Sequence, residues 1–184
     1  MKLLPPLLLL LLATPIVAGE TYAGKCVGVT DGDTISVMKA GKAVKIRLEG
    51  IDCPESGQDF GTRAKQFTSG LVFSKDVEVK EYSPDRYGRM VARILVSGQD
   101  VPPELMRAGL AGHYNKYSSD PVLAEAEVEA RKAKVGPWSM PNPVPPWECR
   151  RGREAFQERI AFYPEERLRF EKILNFVRFH RPLR

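Results

Sequence analysis

The sequence predicts an α+β protein with a mainly β core: a small closed barrel of five strands, helices beside it, and a helical extension at the C-terminus. Five short stretches have the alternating or β-branched composition of strands, and an amphipathic helix stands between the third and the fourth. Turn signals rich in Gly, Asp and Pro separate them. A run of short strands with one interposed helix favours a barrel over a parallel α/β sheet.

The first three strands are predicted around two turns. Residues 25–30 and 34–38 flank the bend "DGD", and "KAGKA" supplies the turn that leads into "VKIRLEGI". Alternation in this third strand is strict, which gives it one apolar and one polar face. The apolar face holds Val44, Ile46 and Leu48, and the polar face holds Lys45, Arg47 and Glu49.

The interposed helix is predicted from apolar residues at i, i+4, i+7 and i+11, namely Phe60, Ala64, Phe67 and Leu71. Two more strands, over residues 77–82 and 90–96, are joined by the turn "SPDRYGR". A short helix over residues 104–108 follows Pro102-Pro103. A longer one is capped by Asp120, has Pro121 at its first position and is ended by Gly136-Pro137.

The C-terminal part begins with a stretch, "PWSMPNPVPPW", that is too rich in proline to be regular and is expected to wrap or link. Beyond it, a helical pattern begins at Phe156 and Ile160, and another starts at Pro164. The second pattern carries an apolar stripe of Phe170, Ile173, Leu174 and Val177. Such a stripe needs cover, and we expect the protein's own core to provide it rather than a partner.

The first 19 residues predict a secretory signal peptide, with Lys2 before an apolar run and small residues up to a cleavage site near Ala18 or Gly19. The apolar run is shorter than the ~20 residues that span a bilayer, which argues against a retained anchor. We therefore expect export to the periplasm or the medium, with no stable membrane association. The domains predicted are 1–19 (signal peptide), 20–149 (barrel domain) and 150–184 (basic helical tail).

The net charge of +5 arises in the tail. Residues 150–184 hold ten Lys and Arg against five Asp and Glu, whereas residues 20–149 are close to neutral. The basic composition therefore does not by itself indicate that the core binds a polyanion. We expect the tail's arginines to add non-specific phosphate contacts outside the chemistry.

Cysteines and histidines exclude two common kinds of site. The spacing of Cys26, Cys53 and Cys149 matches no zinc template, and His113 and His180 complete no Cys–His nucleophile pattern. An oxidising compartment would permit one disulfide and leave one thiol, with the pairing open. Both histidines are expected to be structural or solvated.

The bend "DGD" has two interpretations. Asp-Gly is a strong turn signal, so that Asp31 would simply cap its own backbone. Alternatively, Asp31 and Asp33 help to hold a hard cation. The segment "GIDCPE" supports the second interpretation, because Asp52 and a backbone carbonyl at Cys53 would add oxygen ligands of the kind that Ca²⁺ takes.

A pair of arginines gives these acids a chemical context. Arg47 lies on the polar face of the third strand, and Arg89 lies in the turn "DRYGR". Guanidinium groups match the equatorial oxygens of a phosphodiester under attack. Glu55, next to the corner made by Pro54, is a candidate general base for a water molecule.

Four ordered motifs, "VTDGDTISV", "IRLEGIDCPE", "DRYGRMVARI" and "GLAGHYNKY", resemble the thermonuclease (staphylococcal nuclease-like) family over residues 25–138. The resemblance implies an OB-fold barrel of five strands with three helices. It also implies Ca²⁺-dependent cleavage of DNA and RNA at the 5′ P–O bond, which leaves 3′-phosphate ends.

Matched motif by motif, the resemblance implies a role for each site residue. The metal ligands are Asp33, Asp52, the backbone carbonyl of Cys53 and, through water, Asp31. The catalytic residues are Arg47, Glu55 and Arg89. Tyr87 is expected beside the phosphate of the bound nucleotide, and Tyr117 against its sugar or base.

Three departures from the family pattern limit what the resemblance implies. The segment "SGQDFG" after Glu55 is short and has no lysine. In "GLAGHYNKY", Tyr114 is a second aromatic residue and Asn115 stands where the best-known family member has tyrosine, so base stacking is expected to differ. The basic tail has no counterpart in the family pattern.

The sequence thus predicts an exported, Ca²⁺-dependent endonuclease that acts on DNA and RNA as a monomer. One alternative is a non-catalytic OB-fold module that binds single strands by stacking and charge. The presence of Arg47, Glu55 and Arg89 together favours the enzyme. A third alternative, an exported interaction module that docks through its tail, is compatible with either.

Overall fold

A computed structural model of the chain describes residues 19–141, 143 and 145–149. The predicted signal peptide up to residue 18 and the tail from residue 150 lie outside these residues. The regular elements follow one another as β1 Thr21–Val29, β2 Thr34–Lys39, β3 Lys42–Leu48, β4 Ile51–Asp52, α1 Gly61–Val72, β5 Asp76–Pro84, β6 Met90–Val96, β7 Gln99–Asp100, α2 Val101–Arg107, β8 Gly112–His113 and α3 Pro121–Ala133. A 3₁₀ turn at Gly136–Ser139 follows α3.

The barrel is built from β1, β2, β3, β5 and β6, and parallel pairing closes it. The strands lie in the order β3-β2-β1-β5-β6, and β3 also pairs with β6. The closing register sets Ile46 opposite Met90 and Leu48 opposite Ala92. The predicted OB-fold barrel of five strands, in an α+β protein with a mainly β core, is confirmed.

Strand β1 turns a corner of the barrel by pairing with two neighbours. Its first half pairs with β5, from Thr21 to Lys25, and its second half pairs with β2. An irregularity between Cys26 and Gly28 separates the two pairings. Such bulges bend a strand and increase its twist, which a small barrel requires.

Alternation along the strands fills the barrel with aliphatic side chains. The predicted apolar face of β3 points inward at Ile46 and Leu48, and buried residues of the neighbouring strands meet it: Ile35, Val37, Val77, Val79, Ala92 and Ile94. Helix α1 buries Ala64, Thr68 and Val72. The helix begins at Gly61, one residue after the predicted start, because Phe60 adopts a left-handed conformation with φ 67°.

The remaining helices lie close to their predicted positions. The second was predicted over residues 104–108, but α2 begins at Val101 and takes both prolines into its first turn, where proline is tolerated. The predicted cap of α3 is confirmed, since Oδ1 of Asp120 accepts a hydrogen bond from the Val122 N–H at 2.9 Å. Helix α3 ends at Ala133, and Lys134 then adopts a left-handed conformation before Gly136-Pro137.

Further features of the described chain depart from the sequence prediction. The two-residue strands β7 and β8 were not predicted, and Ile51, predicted to end the third strand, lies in the separate strand β4 because the chain turns at Glu49 and Gly50. The stretch expected to be irregular begins with the 3₁₀ turn at Gly136–Ser139. Within the described residues, no helix has the length and apolar character needed to cross a membrane.

We expect Gly70→Ala to raise the free energy of unfolding by about 0.5–1 kcal/mol, because Gly70 lies exposed in α1 and a Cβ there would meet no atom within 4 Å. Gly32→Ala is the matched control at a packed glycine. A Cβ at Gly32 would lie 2.7 Å from the Cβ of Cys53 and 2.8 Å from that of Ala64, so stability should fall by about 1–3 kcal/mol. Urea denaturation measures both changes, and equal effects would contradict this packing.

Candidate active site

The bend between β1 and β2 carries the first acidic pair and is fixed by helix α1. Oδ1 of Asp31 accepts a hydrogen bond from the Asp33 N–H at 3.2 Å, so the predicted turn is present. The hydroxyl of Thr68 in α1 donates to the Gly32 carbonyl oxygen at 2.6 Å. Since the packing leaves no room for a side chain at Gly32, the bend holds Asp33 in one position.

Arg47 lies between two buried carboxylates. Its Nη2 lies 2.6 Å from Oδ1 of Asp52, and its Nη1 contacts Oδ2 of Asp33. The same Asp33 oxygen accepts a hydrogen bond from the Cys53 N–H at 2.7 Å. The Asp52 side chain is 0% exposed and that of Arg47 is 12% exposed. Three charged groups, with one negative charge in excess, are therefore almost removed from water.

Arg89 reaches the same edge of the barrel from the turn before β6. Its Nε and Nη2 lie 2.8 and 2.7 Å from Oδ2 of Asp85. Its Nη1 donates to the Thr34 hydroxyl at 3.4 Å, and that hydroxyl donates to Oδ1 of Asp33 at 3.2 Å. Thr34 thus links Arg89 to Asp33, the carboxylate that also contacts Arg47.

Asp85 orients Arg89 and also closes the turn. Partial burial raises the pKa of the Asp85 carboxyl, but hydrogen bonds from the Arg89 side chain and from the N–H groups of Arg89 and Tyr87 outweigh this effect. The pKa is therefore held below its ordinary value. Asp85 stays ionised at neutral pH and keeps its charge beside the guanidinium.

Tyr87 lies at the tip of this turn with cations on its ring. It is 66% exposed. The guanidinium of Arg86 lies 4.7 Å from the ring centroid and that of Arg89 lies 5.5 Å from it. Arg86 also donates a hydrogen bond to the Tyr87 hydroxyl at 2.5 Å. The turn therefore presents two guanidinium groups and one phenol to an incoming anion.

Glu55 stands on a rigid corner. Its N–H donates to Oε1 of Gln58, and its carbonyl oxygen accepts from the Gln58 N–H, each at 2.7 Å. A Cβ at Gly61 would lie 1.8 Å from the Glu55 carbonyl oxygen, so the first residue of α1 has to be glycine. The corner therefore fixes the backbone from which the half-buried Glu55 side chain extends.

The Cys53 thiol is buried against the bend that carries Asp31 and Asp33. Burial raises the pKa of its thiol well above the ordinary value, and the charge of Arg47 opposes that rise. The charges of three carboxylates add to the rise in the pKa: Asp52, Asp31 and Glu55. The thiol stays neutral, so Cys53 can offer a hard cation only its carbonyl oxygen.

The donors around Arg47 suit Ca²⁺ in type and charge. Asp33 and Asp52 supply buried carboxylate oxygens, and Asp31 stands beside them in the bend. Hard cations prefer such oxygens, and the excess negative charge favours a cation. Among the described residues, no group of three or more His, Cys, Asp or Glu is arranged to hold a metal ion. The suitability of this region for Ca²⁺ thus rests on the carboxylates of Asp33 and Asp52, both of which contact the Arg47 guanidinium.

Tyr117 belongs to a segment connected to the site through the backbone. Strand β8 pairs with β4, with Gly112 opposite Asp52. The Tyr114 N–H donates to the Gly50 carbonyl oxygen at 2.9 Å, and the Tyr117 N–H donates to the Tyr114 carbonyl oxygen at 2.9 Å. Tyr117 is 68% exposed.

Sequence reasoning identified the charged groups of the site but missed residues that position them. Thr34, Thr68, Asp85 and Arg86 were not singled out. Asp85 had a usable signal, since an acid four residues before Arg89 across a Gly-containing turn is well placed for an ion pair. His113, expected to be structural or solvated, is buried in β8. Cys26 and Cys53 are both buried in the core.

Comparison with known proteins gives one consistent result. The family described as staphylococcal nuclease homologue matches residues 45–140. A protein of Escherichia coli O157:H7 named uncharacterized endonuclease is 43% identical over 143 residues, which cover 77% of this chain and 93% of that protein. A Haemophilus influenzae protein of the same name is 35% identical over 171 residues, covering 88% and 96%. A Shigella flexneri protein named micrococcal nuclease is 36% identical over 151 residues, covering 76% and 87%.

We expect Asp85→Asn to lower kcat for nucleic-acid cleavage by about 10-fold or more, because Arg89 loses its charged partner and with it a fixed orientation. Glu104→Gln is the matched control, since Glu104 likewise pairs with an arginine, Arg107, within helix α2. A lowered pKa means that Asp85 contributes stability above the unfolded-state value of about 4. This contribution is lost as pH falls through the folded-state pKa.

The difference in the free energy of unfolding between wild type and Asp85→Asn should therefore shrink from pH 6 towards pH 3. Urea denaturation across this range measures it. A difference that grows on acidification would contradict the assigned ion pair.

Proposed function

The chain belongs to the staphylococcal nuclease homologue family, and we propose that it is a Ca²⁺-dependent endonuclease that hydrolyses DNA and RNA to 3′-phosphate products. The observation that carries this proposal is the meeting of Arg47 and Arg89 with buried carboxylates at one edge of the barrel. A nuclease needs cations for the phosphate and a base for water. This edge supplies the cations, and Glu55, three residues after Asp52 in the chain, is the base that we assign.

The two arginines are assigned to the phosphate. Negative charge grows on the equatorial phosphate oxygens as water attacks phosphorus, and a fixed guanidinium stabilises that charge without reorganising. Asp85 contacts Arg89, and Asp33 and Asp52 contact Arg47, so these ion pairs keep both guanidinium groups at this edge of the barrel. We assign Arg89 charge stabilisation rather than proton donation, because a guanidinium with a pKa above about 12 is a poor acid.

Glu55 is assigned as general base. It accepts a proton from the attacking water while the new oxygen–phosphorus bond forms and the bond to the 5′-oxygen breaks. The leaving oxygen takes its proton from solvent, and the phosphate stays on the 3′ side. Support comes from the corner at Pro54 and Gln58, which fixes the backbone of Glu55 and leaves its side chain half-buried.

Ca²⁺ would be held by Asp33 and Asp52, with the Cys53 carbonyl and, through water, Asp31. When bound it supplies positive charge that neutralises and orients the phosphate. Asp33 is fixed by the Cys53 N–H and Asp52 by its place in β4. These contacts keep both carboxylates buried and near the same guanidinium, that of Arg47.

We also propose that the protein is exported, is periplasmic or secreted, and acts as a monomer. Support for export is the N-terminal sequence alone, with its single cation, apolar run and small residues. The proposed nuclease function does not depend on this location.

Glu55→Gln should separate a nuclease from a non-catalytic binding module. The amide keeps the shape of the side chain but cannot accept the proton, so kcat should fall by at least about 100-fold while binding of oligonucleotides survives. Glu78→Gln is the control, because Glu78 lies exposed on β5 beside Lys80. Unchanged turnover in Glu55→Gln would show that Glu55 is not the general base. Binding without turnover in wild type would favour the OB-fold binding module.

Cleavage should require Ca²⁺, and Mg²⁺ should substitute poorly, because two carboxylates on a bend and a short strand suit a loose oxygen shell better than strict octahedral geometry. Asp33→Asn and Asp52→Asn should each weaken Ca²⁺ binding by at least about 10-fold, measured by calorimetry without substrate. Asp76→Asn, at an exposed residue of β5, serves as the control. Equal turnover with Mg²⁺ alone, or unchanged calorimetric affinity in both variants, would contradict the assignment.

A further inference from the structure

Three aromatic rings form a cluster beside the strand that carries Asp52. The rings of Tyr114 and Trp147 are stacked, with centroids 5.3 Å apart and planes inclined by 5°. The Tyr117 ring meets Tyr114 edge-on, with centroids 4.8 Å apart and planes inclined by 78°. Both arrangements are favourable for aromatic pairs. We call Tyr114, Tyr117 and Trp147 the aromatic platform.

Trp147 is held by local backbone hydrogen bonds and packs against the barrel domain. It lies in a helical turn over residues 146–149, in which the N–H groups of Glu148 and Cys149 donate to the Pro145 carbonyl oxygen at 3.0 and 3.3 Å. Its ring covers Gly112, where a Cβ would lie 2.9 Å from Cζ3 of Trp147. A glycine in β8 therefore makes room for this ring.

The platform is joined to the candidate active site by backbone pairing. Gly112 lies opposite Asp52 in the β4–β8 pair, and the Tyr114 N–H donates to the carbonyl oxygen of Gly50, two residues before Asp52. Gly112 also contacts the ring of Trp147. The rings and the carboxylate thus lie on one small structural unit.

One ring of the platform faces solvent. Tyr117 is 68% exposed, although its edge contact with Tyr114 restricts its orientation. The ammonium of Lys116 lies 5.4 Å from the Tyr117 centroid. An exposed ring held in place beside a cation suits a flat, apolar group attached to an anion, as a nucleobase is attached to its phosphate. A single ring offers far less area than a protein partner needs.

Resting on the proposed nuclease function, we propose that Trp147 is a positioning residue for substrate: through Tyr114 it fixes Tyr117 against an unpaired nucleobase of the bound strand. Trp147 does not itself touch the base. Its ring covers one face of Tyr114, and Tyr114 then supports the edge of Tyr117. A paired base cannot leave its stack without cost, so this contact requires an unpaired base.

The test uses single-stranded DNA oligonucleotides of one sequence, intact or with one abasic residue moved along the strand. In wild type, KM should rise by about 10-fold when the abasic residue reaches the position of Tyr117. Trp147→Ala should raise KM for the intact strand by about 10-fold, leave kcat within about twofold, and show no further rise at that position. Trp147→Phe should restore most of the wild-type behaviour.

Trp138→Phe is the matched control, because Trp138 packs against Arg131 outside the platform. Gly112→Ala provides a second route if Trp147→Ala does not fold, since its methyl group displaces the Trp147 ring and should raise KM in the same way. Full discrimination of the abasic strand by Trp147→Ala, or a fall in kcat with KM unchanged, would overturn the proposal.

Binding separates this proposal from the proposed function. Anisotropy of the same labelled strands, measured with Glu55→Gln in place of wild type and again after adding Trp147→Ala, reports the platform without any cleavage. Loss of the abasic effect on addition of Trp147→Ala supports the platform. If no strand is cleaved by wild type but this difference persists, the nuclease function fails and the platform stands. Identical binding by both proteins overturns the platform.

Discussion

Parallel pairing of β3 with β6 is the constraint on which the candidate site depends. It sets Arg47 opposite Val91 and Ile46 opposite Met90, and Arg89 directly precedes Met90. Strand β2 adds Thr34 opposite Arg47. Residues far apart in sequence therefore meet at one edge because the barrel closes there. Without that closure, neither the Thr34 bridge nor the shared edge of the two arginines would exist.

Burying Arg47 with Asp33 and Asp52 costs free energy. A second Asp–Arg–Asp arrangement in the described chain shows that such a group can form without being buried to the same extent. Arg93 also lies between two acids, Asp100 and Asp120, but its side chain is 28% exposed against 12% for Arg47. Desolvating charges costs several kcal/mol per ion, and well-packed apolar residues often replace such groups without loss of stability. Stability therefore does not explain the buried group, whereas the proposed cation binding and phosphate recognition would.

The sequence was informative where structure depends on local pattern. Strict alternation predicted the inward side chains of β3, and the Asp120 cap predicted the start of α3, because both follow from neighbouring residues. Strand β8 was missed because its two residues become a strand only by pairing with β4. In the same way, the acidic motifs identified Asp33 and Asp52, but no spacing indicates that one guanidinium joins them.

Partners that lie far apart in sequence also explain why the aromatic platform was not foreseen. A proline-rich stretch gives no periodic signal, so Trp147 was expected only to wrap or link. Its contact with Gly112 changes that interpretation. Gly112 lies in β8, and β8 pairs with β4, the strand that carries Asp52. A base held by the platform and a phosphate held at the arginines would then be positioned by adjoining parts of the barrel, because Arg47 contacts Asp52 of β4. Chemistry that depends on fixed approach gains from such coupling, since small displacements of a bound strand cost large factors in rate.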